Sequence, residues 1–331
     1  MTEIFDNIDR IRTEFGGDPV RGRVVWSPVK SLFLIACYAG TLAGLIFWLR
    51  IDTVLLFLAK TAVVLLLGHS VGMHRRLIHK SFDCPLWLER FLVYMGVLVG
   101  LGGPFAMIRT HDFRDWAQRQ THCHDYFAHR RALVIDGLWQ MHCDIRLDQP
   151  PHLVIEDEVA TDPFYRFIDR HWIAVHLQWV LLFLAIGGWS WVAWGVCAQV
   201  AATVTGHWFI GYFAHHDDGH PIDHWHVNGA GVQGRDVALS GLITMGEGWH
   251  NNHHAFPGSA RLGLHPGQSD PGFWFLKALE GLGLVWNIRV PAVPRPQVVW
   301  QGAAPKPQMS PDRKPCPSML RLGRLWRRAM A

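Results

Sequence analysis

The densest cluster of potentially reactive side chains is the run His250-Asn251-Asn252-His253-His254. On an α-helix, positions i, i+3 and i+4 lie on one face, so the three imidazoles can converge on one or two metal ions. Histidine is the commonest metal ligand in proteins. Trp249 and Phe256 flank the run, and this apolar setting favours a metal site over a solvated histidine-rich loop.

A second cluster contains His74 and His79, with His69 a short distance upstream. Residues five apart do not lie on quite the same face of an α-helix, but they can hold two metals side by side or one metal at a bend. The pair directly follows an apolar run, where basic residues are common. Its spacing alone therefore does not separate a metal site from an ordinary basic stretch beyond a membrane span.

A third cluster lies at the end of the last long apolar run, where His207, Gly211 and His215 are spaced by four along one helical stripe. An ionisable residue at membrane depth is costly and usually functional. For His207, a core histidine bonded to a neighbouring helix is an equal alternative. His215 is the better candidate for a metal ligand, because it lies at the polar end of the run.

The elements that must position these histidines are predicted from apolar runs. The chain has 331 residues, of which half are hydrophobic. About 20 apolar residues are needed for a helix that crosses a membrane. The stretch at 86–108 contains several glycines and Pro104, and predicts a broken or interfacial helix. Four transmembrane helices are predicted from the runs at 31–49, 54–68, 172–194 and 195–213, with a kink at Gly187 and Gly188.

The positive charges predict the orientation. Lysines and arginines concentrate before the first run, after the second and before the third, and Arg50 lies on the opposite side. Such an excess marks the cytoplasmic side of a multi-pass protein. The sequence therefore predicts an all-α integral membrane protein with four transmembrane helices, both termini in the cytoplasm and a cytoplasmic helical cap carrying a histidine-rich di-metal site. Its expected parts are a cytoplasmic N-terminal segment at 1–30, a membrane domain at 31–291 and a flexible basic tail at 292–331.

Composition also argues against two classes of protein. A net charge of only +4 gives no indication of a nucleic-acid partner. The six cysteines include no CxxC pair, so neither a zinc ribbon nor a redox dithiol is expected.

From about residue 25 to 291, the sequence resembles the stearoyl-CoA desaturase branch of the membrane fatty acid desaturases. The last histidine box of that family reads GEGxHNxHH, and GEGWHNNHHAFP matches it closely. The first box, HxxxxH, matches within GMHRRLIHKSF, and the segment WxxNxxxH matches WFIGYFAH apart from its asparagine. These matches imply six metal ligands, which are His74, His79, His215, His250, His253 and His254.

The family's middle box, HRxHH, is altered in this chain. His111 keeps the first position, but Arg114 and Asp115 replace the last two histidines. Arginine offers no lone pair, whereas a carboxylate oxygen can bind iron, and Asp115 lies four residues after His111 on the same helical face. An alternative middle box is His122-Cys123-His124, in which both histidines could bind only if the segment is extended or bent. Gly211 replaces the family's asparagine that reaches the metal through water, so water or His207 would have to fill that gap.

The resemblance implies a di-iron oxygenase that desaturates a fatty acyl chain in the lipid membrane. The implied cofactors are two Fe ions, with O2 as co-substrate and electrons from a carrier such as ferredoxin or cytochrome b5. The acyl group could be bound to CoA, a carrier protein or a glycerolipid. The expected ligands are His74, His79, His111, Asp115, His215, His250, His253 and His254. Supporting or alternative ligands are His69, His207, Gly211, His122 and His124.

Two other functions stay open from the sequence. One is a di-iron hydroxylase or ketolase of a lipid or carotenoid, because changed ligands retune the oxidant. Product mass separates it from a desaturase, since one gains an oxygen and the other loses two hydrogens. The other is a catalytically inactive, desaturase-like protein that binds lipid, with Arg114 disabling the centre.

Overall fold

The computed structural model describes residues 9–14, 16–216, 224–237 and 239–292. The chain divides into two compact units, Met1–Pro291 and Ala292–Ala331. All the elements below belong to the first unit. The tail predicted at 292–331 lies outside the described residues, apart from Ala292.

The described part of the chain is mostly helical. The helices are α1 (Pro28–Phe47), α2 (Ile51–Ile78), α3 (Leu86–Val97), α4 (Pro104–Arg119), α5 (Asp125–Ala128), α6 (Leu133–His142), α7 (Asp157–Ala160), α8 (Pro163–Arg170), α9 (Trp172–Val192), α10 (Gln199–His215), α11 (His250–Ala255) and α12 (Pro271–Gly281). The second half of α2, Val64–Ile78, has π-helical turns, as does the segment Ala193–Ala198 between α9 and α10.

Two short antiparallel sheets correct the all-α expectation. Strands β1 (Ile11–Arg12) and β4 (His152–Leu153) pair with each other, and β2 (Gly22–Trp26) pairs with β3 (Cys143–Leu147). The partner strands lie more than a hundred residues apart in the chain. A pairing over such a distance leaves no local pattern as clear as a two-residue hairpin turn. The sheets fasten the segment before α1 to the segment after α6.

Three helices in the described residues are long and apolar enough to cross a membrane. They are Pro28–Phe47, Ile51–Ile78 and the continuous 44-residue stretch Trp172–His215. Many of their large apolar side chains are exposed, among them Leu42, Leu55 and Leu181. Extended apolar surface of this kind matches a lipid environment rather than water.

The 44-residue stretch reverses direction at Gly188, whose φ of 67° and ψ of −162° are not helical. The rings of Phe183 and Trp191 lie 5.9 Å apart. Eight residues along a straight α-helix would separate them by about 12 Å. The predicted break at Gly187 and Gly188 is therefore present, and it falls before the predicted boundary at 194.

The predicted break within 86–108 is also confirmed, because α3 and α4 are separate helices. Gly100 and Gly102 lie between them with φ of 91° and 126°, a region that favours glycine. Pro104 then begins α4. The break allows α4 to run along the end of α2 and carry the altered middle box to the other histidines.

Candidate metal centre

The structure brings seven histidines into two groups within the described residues. Within each group, one nitrogen from every ring lies within 4.8 Å of those of the others. The first group consists of His74, His79, His111 and His253, and the second of His215, His250 and His254. Six of these seven come from the three histidine clusters predicted from the sequence, and the seventh is His111 of the altered middle box.

The π-helical half of α2 explains how His74 and His79 meet. The amide of His79 donates a hydrogen bond of 3.1 Å to the carbonyl of His74, five residues earlier. This i→i+5 bonding stacks residues five apart on one face. The two Nε2 atoms consequently lie 3.1 Å from each other. The spacing that is awkward on an α-helix thus fits this helix.

The short helix α11 contributes to both groups. His253 joins the first group, while His250 and His254 join the second. Their positions i, i+3 and i+4 put all three on the side facing the other clusters, as predicted. The ring of His253 lies 4.6 Å from that of His74, and 5.5 Å from that of His250. The two groups are therefore neighbours across one turn of helix.

The distances within the second group fit a shared metal. His250 Nε2 lies 3.0 Å from His215 Nε2 and 3.2 Å from His254 Nε2. Two nitrogens about 2.1 Å from one metal, at a right angle, lie about 3.0 Å apart. An imidazole set of this kind suits iron, copper, nickel or zinc, and excludes magnesium and calcium as preferred ions.

Carboxylates orient two of the rings. Glu247 Oε2 lies 2.6 Å from His74 Nδ1, and Asp112 Oδ1 lies 3.1 Å from His111 Nδ1. A metal-binding histidine usually donates its second N–H to such a partner, which fixes the tautomer and leaves the other nitrogen for the metal. Both carboxylates lie close in sequence to predicted ligands, but their types and spacing gave no signal of this role.

Buried arginines hold these carboxylates. Arg75 donates to Glu247 and to Asp270, each at 2.8 Å. Arg10 is 1% exposed, donates to Asp112 at 3.1 Å and also bonds the carbonyl of Ile78 at 3.0 Å. The N-terminal segment expected at 1–30 therefore contributes directly to the support of the site.

Burial keeps most of these imidazoles neutral. It lowers the pKa of His79, His250 and His253 well below the usual value, and lowers the pKa of His254 to about 4. For His111, burial is outweighed by Asp112 and Asp115, so its pKa is raised. Neutral imidazole is the form that binds a metal.

Asp115 belongs to neither histidine group, although it is buried and lines the same cavity. Burial alone would raise the pKa of its carboxyl. The charges of His111 and His254 lower that pKa by more, so the net shift is downward. Those two histidines come from different groups. Asp115 therefore lies where a carboxylate can interact with both.

The alternative middle box does not reach the site. His124 accepts a hydrogen bond from the amide of Tyr126 at the start of α5, and His122 is exposed. Neither residue joins a histidine group or lines the cavity. The reason is local: the chain turns away after α4, and this segment caps the next short helix instead.

His69 and His207 lie beside the first group without joining it. Their rings are 5.0 Å apart, and the ring of His69 is 6.5 Å from that of His74. At Gly211, a Cβ atom would lie 3.3 Å from His129 Nε2 and 3.7 Å from Arg114 Nη1. The gap expected to be filled by water or His207 is thus bordered by His129 and Arg114.

One cavity of about 360 Å³ contacts both groups. Apolar side chains from several helices line it, including Leu34, Leu101, Met107, Val204 and Ile210. Lys30, Gln140 and Asp144 add polar lining. A chamber of this composition can hold an apolar chain next to the two histidine groups.

No protein-family model matches this chain. Several curated proteins do match it. The sn-1 stearoyl-lipid 9-desaturase of Anabaena variabilis is 31% identical over 270 residues, which are 79% of this chain and 93% of that protein. The sn-2 palmitoyl-lipid 9-desaturase of Nostoc sp. (strain 36) is 30% identical over 235 residues, 67% of this chain and 76% of that protein. The Acyl-CoA C20 Delta5-desaturase of Anemone leveillei is 30% identical over 243 residues, 71% of this chain and 73% of that protein.

Proposed function

Since this chain belongs to the fatty acid desaturase family, we propose that its two histidine groups hold the two irons at which it desaturates a fatty acyl chain with O2. The observation that carries the proposal is the convergence of seven histidines from four separate segments on two adjacent points. No side chain can remove hydrogen from an unactivated alkyl carbon, and bound iron supplies that oxidising chemistry.

The proposed ligands are the seven grouped histidines together with Asp115. Support for the histidines comes from their spacing, their burial and the carboxylates behind His74 and His111. Support for Asp115 comes from its burial, from its place in the lining of the cavity, and from its electrostatic interaction with His111 and His254, one histidine of each group. Its carboxylate would reduce the positive charge that neutral imidazoles alone leave on two irons.

The remaining residues of the site position the substrate and exclude water. The apolar wall formed by Leu34, Met107 and Val204 suits a methylene chain, since burying each CH₂ contributes about 0.8 kcal/mol. Per turnover, O2 accepts four electrons and becomes two waters. Two electrons come from the two C–H bonds that are lost, and two come from an external carrier.

We further propose the acyl-CoA type, in the stearoyl-CoA branch, with HDFRD as a divergent middle box. The motifs GEGWHNNHH and HRRLIH support the branch. The relatives' names include both lipid-bound and CoA-bound acyl groups. The carrier is therefore tested by supplying the same acyl chain on CoA, on carrier protein and on a glycerolipid.

The proposed topology has four membrane passes, with both termini and the metal site on the cytoplasmic side. The reversal at Gly188 supports two passes from the 44-residue stretch. Arginines and lysines around the site support the orientation. Electrons would then arrive from a cytoplasmic carrier such as ferredoxin or cytochrome b5.

The test combines metal content with product analysis. The full chain is purified in lipid nanodiscs, and iron per chain is measured before acyl-CoA, O2 and a reducing system are added. We expect about two irons and a product lighter by two hydrogens. The variants His253→Ala and His250→Ala should lose iron and activity, while His124→Ala, outside both groups, should retain them.

Three outcomes would contradict the proposal. Background iron in folded, active protein would remove the di-iron centre. A product heavier by one oxygen would favour the hydroxylase alternative. Bound iron with no turnover of any acyl carrier would favour the inactive, lipid-binding alternative.

A further inference from the structure

His129 is a buried histidine with one nitrogen that has no hydrogen-bond partner. The residue is 0% exposed. Its Nδ1 lies 2.9 Å from Asp136 Oδ1, but its Nε2 is buried and unpartnered. A buried polar atom left without a partner is destabilising, so such an atom calls for an explanation. The sequence motifs gave no reason to select His129.

Asp136 holds His129 in a defined tautomer. Asp136 is 0% exposed, and its Oδ1 also accepts a hydrogen bond of 2.9 Å from Trp208 Nε1 on α10. A carboxylate acceptor at Nδ1 keeps the proton on that nitrogen, and the lone pair remains on Nε2. The same arrangement of carboxylate and imidazole orients His74 and His111 in the first group.

His129 lies beside the second group without joining it, and lines the cavity that contacts both groups. The second group has three histidines where the first has four, among the described residues. The ring of His129 is nearly parallel to that of His215, with centroids 5.8 Å apart. Two imidazoles on one metal have centroids separated by about 4.5 Å at a right angle and about 6.4 Å when opposite. The observed separation falls between these limits.

Gly211 leaves room for this ring. A Cβ atom at that position would lie 3.3 Å from His129 Nε2, closer than the side chain would tolerate without moving. The loss of a side chain at position 211 and the presence of His129 therefore belong to one arrangement.

We propose that His129, oriented by Asp136, is the fourth nitrogen ligand of the second metal position. The inference rests on the proposed di-iron function and adds a ligand from outside the three histidine boxes. It commits to Nε2 as the ligating atom.

The test measures metal rather than turnover. His129 has φ of 50°, a conformation that favours glycine, so His129→Gly removes the imidazole without straining the backbone. Iron per chain and the Mössbauer spectrum are measured for the full chain in nanodiscs, without and with added imidazole. We expect about two irons in the unaltered chain, about one in His129→Gly, and recovery of the second when free imidazole enters the vacated space.

Two further variants separate ligation from folding. Asp136→Asn keeps the size of the side chain but weakens its hold on Nδ1, and should lower affinity at one iron position by about 10- to 100-fold. His176→Ala is the matched control. His176 is 2% exposed and bonded to the carbonyl of Trp172, yet it does not line the cavity that contacts the two groups. Its loss should leave both irons.

The results distinguish failure of this inference from failure of the proposed function. Two irons at unchanged affinity in His129→Gly, or equal loss in His176→Ala, would overturn the role of His129 alone. An unaltered, folded chain without iron would overturn the di-iron function, and this inference with it. Unchanged iron affinity in Asp136→Asn would contradict the role of the carboxylate. This measurement still tests the inference if His129→Gly does not fold.

Discussion

Replacing Glu247 by glutamine should weaken iron binding while leaving the chain folded. Glu247 Oε1 accepts hydrogen bonds from Ser70 Oγ at 2.7 Å and Arg75 Nη1 at 2.8 Å, and its Oε2 lies 2.6 Å from His74 Nδ1. A glutamine side chain has one acceptor oxygen and one donor NH₂. When its oxygen stays with Ser70 and Arg75, its NH₂ faces His74 Nδ1.

That exchange changes the tautomer of His74. Facing a donor, Nδ1 must act as acceptor, and the proton moves to Nε2, the nitrogen that lies 3.1 Å from His79 Nε2. A protonated Nε2 has no lone pair for a metal. Losing one charge-assisted hydrogen bond costs about 1.5–3 kcal/mol, and loss of such a supporting partner lowers metal affinity about 10- to 100-fold.

Folding should survive because Arg75 keeps other partners. Its guanidinium still donates to Asp270 Oδ1 and to the carbonyl of Ala260, each at 2.8 Å. The buried cation is therefore not abandoned, which would otherwise cost about 3–5 kcal/mol.

The assay is an anaerobic Fe(II) titration against a competing chelator, with thermal unfolding of the iron-free protein alongside. Glu280→Gln is the control, because Glu280 pairs with Lys277 at an exposed position. Such a surface pair contributes about 0–1 kcal/mol, so its loss should change neither measurement. Iron affinity of folded Glu247→Gln within about twofold of the unaltered chain would refute the reasoning.

Two further predictions follow from packing and from protonation. Gly72→Ala should destabilise the chain by about 1–3 kcal/mol or more, because its Cβ would lie 2.3 Å from the backbone oxygen of Leu92. Gly206→Ala is the control, because the space around that position is open, and it should be neutral or stabilising. Thermal unfolding measures both. Acid should release iron and destabilise the iron-free chain. Burial lowers the pKa of His254 from 6.5 to about 4, so the unfolded chain binds more protons than the folded chain between these pH values. The stability present above pH 6.5 is therefore lost as the pH falls. For His254 alone the loss is about 2 kcal/mol near pH 5, and a flat unfolding curve from pH 7 to pH 5 would contradict it.

Periodicity predicted that most of these histidines come together, but not their division into two groups. The positions of His250, His253 and His254 on one face follow from the helix repeat. Their division between the two groups does not, because it depends on which neighbour each ring meets. His253 meets His74 on α2 and His79 directly after it, while His250 meets His215 on α10.

The meeting of His74 and His79 needed a backbone feature with no clear sequence signal. Gly68 and Gly72 lie within the π-helical segment and pack closely against α3. A Cβ at either position would lie 2.3 Å from a backbone oxygen of α3. The glycines were visible in the sequence, but their consequence for helix type depends on a partner helix twenty residues away. Tertiary packing therefore decided the geometry of this box.

The altered middle box and Gly211 appear in the sequence as unrelated departures, yet in the structure they occupy one place. Arg114 is larger than the histidine that the family has there, and its Nη1 would lie 3.7 Å from a Cβ at position 211. Arg114 Nη2 donates to Gln140 at 2.6 Å, and both side chains line the cavity that contacts the two groups. A residue without a side chain at 211 then gives room both to this guanidinium and to His129. Gly211→Asn alone should therefore displace His129. The family's arrangement would need Gly211→Asn together with Arg114→His.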